Sequence, residues 1–100
     1  MSEKLVVVVE RQIAALVPRF LARRADDVIK LRAALADSDF EVIRVAAHGM
    51  KGAGGAYGFA EISRLGAALE EGARGRDVAA ITALLANLEE YLARIELKYE

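Results

Sequence analysis

The chain has no cysteine, no tryptophan, one proline and one histidine in 100 residues. Without cysteine there are no disulfides and no thiolate metal sites, and nothing argues for an oxidising compartment. A zinc site normally needs three or four ligands, so a lone histidine gives no expectation of a bound metal. Long apolar runs are also missing. Val6-Val7-Val8-Val9 is far too short to span a bilayer, and it lacks the basic region and cleavage site of a secretory signal. A soluble, cytoplasmic protein is therefore expected. Acids and bases nearly cancel, 15 against 14, which excludes a dominant field for nucleic acid.

What is abundant is alanine, leucine, arginine and glutamate, the composition of a helical domain. The length suits one domain over 1–100, with a core expected at about 10–97. Residues 5–9 are β-branched and suit an extended lead. A short helical piece follows, about Arg11 to Val17. Pro18 fits the first turn of a new helix. The series Phe20, Leu21, Val28, Leu31, Leu35 carries that helix to about Ala36.

Ser38 with Glu41 has the form of a capping box and predicts the next helix start. Its apolar series is Phe40, Ile43, Ala47, Met50, running into Gly52, Gly54 and Gly55, which are expected to end the helix or loosen its last turn. Gly58 precedes a helix with Phe59, Ile62, Leu65 and Leu69 inward, closed by Gly72 and Gly75. Asp77 caps a last helix that buries Val78, Ile81, Leu84, Leu85, Leu88, Leu92 and Ile95. Short connections imply antiparallel neighbours. The expected fold is all-α: an up-down-up-down antiparallel four-helix bundle with a short N-terminal helix.

On a helical wheel, Phe40, Ile43, Ala47, Met50 and Gly54 form the core face of the third long segment. His48 falls well outside that arc, among Glu41, Arg44, Lys51, Gly52 and Gly55, and is expected to face solvent. An isolated surface histidine can be idle. Here, however, Lys51 and Gly52 follow at i+3 and i+4, on the same patch. Glycines in a helix cost roughly 1 kcal/mol each against alanine, so side-chain-free positions beside an imidazole make sense if another molecule must approach it. A Ser-His-Asp relay lacks a positioned serine. General acid–base work needs a pocket that a small bundle scarcely offers. Group transfer needs less. A neutral imidazole can attack an activated phosphoryl group through its free lone pair, with a cation such as Lys51 offsetting the phosphoryl oxygens.

Taken together, Ala47-His48-Gly49-Met50-Lys51-Gly52, then Gly58-Phe59, Ile62, Leu65 and Leu69-Glu70, resemble the histidine-containing phosphotransfer (HPt) domain of phosphorelays. Upstream, Leu16-Val17-Pro18-x-Phe20-Leu21 and the Ala34-Leu35 to Asp39 segment resemble the helix before the active one, so the likeness spans roughly 10–95. It implies that His48 accepts a phosphoryl group through Nε2 from a receiver-domain phospho-aspartate or a hybrid kinase and passes it to another receiver. Lys51 would steady the phosphoryl oxygens and Gly52 would leave room for the receiver. Arg44, Val45 and Gly55 would border the docking surface. The resemblance implies a carrier rather than an enzyme, with no cofactor of its own and Mg²⁺ on the partner; a monomer is expected. Gly54-Gly55-Ala56-Tyr57-Gly58 does not match a P-loop. Gly52-Ala53-Gly54-Gly55 is richer in glycine than the Ser-containing version common in the family, and offers the imidazole no side-chain hydrogen bond from that turn. The competing reading is a helical binding or scaffold module for a kinase or receiver that is not itself phosphorylated. A third is a helical oligomerisation domain. Val6 to Val9 could pack on the bundle or meet a second copy.

Overall fold

The computed structural model describes residues 4–100. Four helices make up most of it: α1 (Val17–Ala36), α2 (Phe40–Ala56), α3 (Ala60–Arg74) and α4 (Val78–Arg94). Each packs on two others, α1 on α2, α2 on α3, α3 on α4 and α4 on α1, which closes them into a bundle. One apolar stripe per helix fills the centre. Val28 and Leu31 come from α1, Ile43, Ala47 and Met50 from α2, Ile62, Leu65 and Leu69 from α3, and Ile81, Leu85 and Leu88 from α4. Val78, expected inside, is exposed. It sits at the first position of α4, beyond the reach of the stripe. Among the described residues no helix is long and apolar enough to cross a membrane.

The three corners between helices repeat one design. After α1, α2 and α3 a single residue takes a left-handed conformation: Ser38 (φ 56°), Gly58 (φ 79°) and Arg76 (φ 53°). The next residue donates its N–H back to a carbonyl in the last turn: Asp39 to Ala34 (2.8 Å), Phe59 to Gly54 (2.8 Å) and Asp77 to Gly72 (2.9 Å). This is the Schellman closure of a helix end. That same residue then serves as N-cap of the following helix. Asp39 and Asp77 accept the N–H of Val42 (3.3 Å) and Ala80 (3.0 Å). The expected capping box at Ser38 is therefore displaced by one residue: Ser38 is spent on the left-handed turn, and Asp39 caps. Gly52, Gly54 and Gly55 do not end α2, which continues to Ala56.

Two further features depart from an all-α fold. Arg11–Leu16 is a 3-10 helix running without a break into α1, in place of a separate short α-helix, and Pro18 lies in the first turn of α1 as expected. Leu5–Val9 (β1) and Ile95–Tyr99 (β2) pair as parallel strands, Leu5 beside Ile95 and Val9 beside Tyr99. Ile95 was expected in the last helix, but its backbone is extended (φ −70°, ψ 142°). The physical reason is the alternation Ile-Glu-Leu-Lys-Tyr, a period of two that suits a half-buried strand. Val9 is buried, and Val7, Ile95 and Leu97 pack against the core. At the same end of the bundle the Phe20 ring lies 4.6 Å from Tyr57 and 5.4 Å from Phe59, tying the start of α1 to the α2–α3 corner.

Candidate functional site

The site is built on the seam between α2 and α3, and two glycines decide how close those helices come. A Cβ at Gly66 of α3 would meet the backbone nitrogen of Lys51 at 2.6 Å, and one at Gly54 of α2 would meet that of Ser63 at 2.6 Å. Neither position has room for a side chain. Between them Ser63 Oγ donates to the Lys51 carbonyl (2.8 Å). Residues that advance along α2 (His48, Lys51, Gly54) meet residues that recede along α3 (Glu70, Gly66, Ser63), so this pair of helices is antiparallel.

The close approach places Glu70 under the exposed face of α2. Its side chain is 4% exposed, the only buried charge among the described residues. His48 Nδ1 lies 3.0 Å from Glu70 Oε2, Lys51 Nζ donates to Oε1 (3.2 Å), and an Arg74 guanidinium nitrogen donates to Oε2 (3.2 Å). Burial works to raise the carboxyl's pKa, but the hydrogen bonds from Lys51 and His48 and the charges of Lys51 and Arg74 outweigh it and hold the pKa below the ordinary glutamate value. An ionised carboxylate only accepts hydrogen bonds, so the proton of the neutral imidazole sits on Nδ1. The Nε2 lone pair is then the free one.

His48 stands out from the surface, with 66% of its side chain exposed, as the helical phase of α2 predicts. Lys51 is half-exposed and tethered to Glu70 beside the imidazole. Gly52 and Gly55 are exposed, and a Cβ at either would touch nothing within 4 Å. These two glycines are therefore open ground, whereas Gly54 is a packing contact. Val45 is exposed one turn before His48. Arg44 is half-buried and tied to Glu41 by a pair whose Nε–Oε2 distance is 3.0 Å. Val45, His48, Gly52 and Gly55 fall at helical intervals on one face of α2.

Several members escaped the sequence reading. In the sequence Glu70 stands out only as part of the Leu69-Glu70 pair. The available signal was its phase, since it shares a face of α3 with Gly66 and Ala73, where an unpaired carboxylate has no place. Arg74, one turn beyond Glu70, follows from it. Val42 and Gly49 extend the exposed, apolar or side-chain-free strip beside His48. Among the described residues no group of acidic and histidine side chains is arranged to hold a metal ion.

Chemically, the arrangement is one exposed imidazole with a defined tautomer, a buried carboxylate behind it, a lysine beside it and little steric cover around it. Comparison with known proteins agrees in kind: the family model described as the Hpt domain matches residues 15–97. No curated protein and no solved structure matches the chain.

Proposed function

Because the chain belongs to the Hpt domain family, whose members work in two-component phosphotransfer, we propose that it is a phosphorelay carrier with His48 as the phosphorylated residue. The observation that carries this reading is the Nδ1–Glu70 hydrogen bond behind an exposed imidazole. Nε2 attacks the phosphorus of a receiver's phospho-aspartate. The P–N bond forms, the P–O bond to the aspartate breaks, and the aspartate carboxylate leaves. No proton has to move, because Nδ1 keeps its hydrogen and the phosphorylated ring becomes cationic. Glu70 faces that developing charge, the kind of fixed electrostatic partner that favours a transition state over the ground state.

Lys51 stands where it can offset phosphoryl oxygens, and Gly52 leaves space for the incoming receiver. Arg44, Val45 and Gly55, with Val42 and Gly49, form the surface on which that receiver rests. The Mg²⁺ such a transfer needs belongs to the receiver, and the chain contributes no cofactor of its own. The whole bundle is read as up-down-up-down, and its place of action as the cytoplasm, where receivers and kinase cytoplasmic domains meet.

The test is incubation with purified, phosphorylated receiver domains. An acid-labile, alkali-stable phosphoryl group should form on the chain, and His48→Gln should abolish it with helicity intact. If every receiver and hybrid kinase tried leaves the wild-type chain unlabelled while some still bind it, the carrier reading gives way to the non-phosphorylated binding module.

A further inference from the structure

The β1–β2 pair leaves one strand edge unguarded. Glu100 N–H donates to the Val9 carbonyl (3.0 Å) and Arg11 N–H donates to the Glu100 carbonyl (2.8 Å). The odd-numbered residues of β1 therefore turn their backbone groups toward β2. Backbone direction alternates along a strand, so Val6, Val8 and Glu10 turn theirs to the opposite edge, where no strand lies among the described residues. Val6 and Val8 are 61% and 53% exposed. Natural edge strands are usually blunted by charge, proline or a covering element. β2 carries Glu96 and Lys98 exposed; β1 carries no charge between Leu5 and Val9.

We propose that β1 is a self-association edge, pairing antiparallel with β1 of a second copy about a two-fold axis through Val7. In this register Val6 faces Val8 of the second copy and Val8 faces its Val6, and each such pair can exchange two backbone hydrogen bonds. Lys4 then faces Glu10 of the second copy, and Glu10 faces its Lys4. Glu10 is itself extended (φ −64°, ψ 137°), so the edge continues through it. Among the described residues neither Lys4 nor Glu10 forms an ion pair within its own chain. Registers with Val6 opposite Val6, or Val8 opposite Val8, satisfy the same backbone parity but lose both charge pairs. The charge pattern thus selects the occupant and its register.

The product is a four-stranded sheet made from the two pairs. Val8 lies beside the Gly55–Gly58 corner, and His48 is roughly 13 Å back along α2 at 1.5 Å per residue.

Sedimentation equilibrium of the full chain from micromolar to millimolar concentration should show a reversible monomer–dimer equilibrium. Val8→Pro removes an N–H that the protomer does not use. It should abolish the dimer without changing helicity. Lys4→Glu should raise the dimer dissociation constant about tenfold by setting two like-charged pairs face to face. Adding Glu10→Lys in the same chain should restore it. A monomer at every concentration overturns the proposal. So does a dimer indifferent to both Val8→Pro and Lys4→Glu, or one weakened by Glu96→Lys instead, which would put the contact on β2. Phosphoryl transfer by these variants is a separate readout, so the carrier reading and the dimer can fail independently.

Discussion

The α2–α3 seam and the β1–β2 pair join their segments by opposite means. The seam works by leaving side chains out: Gly54 and Gly66 bring backbone against backbone, and that closeness puts Glu70 within reach of His48. The strand pair works through side chains of alternating character, Leu5, Val7, Val9 and Ile95, Leu97 turned inward, with the ladder supplying the join. Precision at the site thus depends on what is absent, and a small increase in volume there carries further than the loss of a methyl group elsewhere.

The strongest way to break the seam is Gly66→Leu. The new side chain meets Lys51 backbone, which cannot swing aside, so a loss of about 3 kcal/mol in urea unfolding is expected, together with impaired transfer as Glu70 is pushed from His48. Leu97→Ala tests the other region. Its side chain is only partly buried, so about 1–2 kcal/mol of stability should go while the transfer rate stays at the wild-type value. A transfer defect in that variant would show that the strand pair shapes the site.

The subtlest change is Glu70→Gln, which keeps shape and removes charge. Transfer should slow about tenfold, comparable to the smaller losses caused by altering the partner that orients a metal-bound histidine. The sign of the pH effect follows from the lowered pKa of Glu70. Its folded value lies below its unfolded one, so the carboxylate's contribution to stability is present above the ordinary glutamate range. That contribution is lost as pH falls through the folded value. The stability gap between wild type and Glu70→Gln should therefore close on acidification. A gap that widens toward low pH would contradict an ionised Glu70.

The outward position of His48 was legible because α2 buries Ile43, Ala47, Met50 and Gly54 with clean helical period, so phase alone excluded the imidazole from the core. The four helices were legible for the same reason. Glu70 was not, because its burial depends on how near α2 passes, and a glycine in sequence does not announce whether it ends a helix, opens a surface or admits a neighbour. Gly52, Gly54 and Gly55 look alike in the sequence, yet only Gly54 is a contact. Ser38 misled in another way. Two adjacent residues, Ser38 and Asp39, could each cap α2, and the choice fell to the turn that needed a left-handed residue first. Ile95 misled because it continues the spacing of Leu88 and Leu92 while opening a strand.

The strand pair also bears on the order of folding. Leu5 and Ile95 lie at opposite ends of the sequence, so their pairing closes a loop holding all four helices, whereas the helix corners close over three residues each. Long loops are closed late, and contacts that wait for them slow a domain otherwise rich in local pairings. The β1–β2 ladder is then the last join made and the first released. Its amides, Val7 and Val9 among them, should exchange with solvent ahead of those of Leu65 and Leu69, through openings that leave the bundle intact.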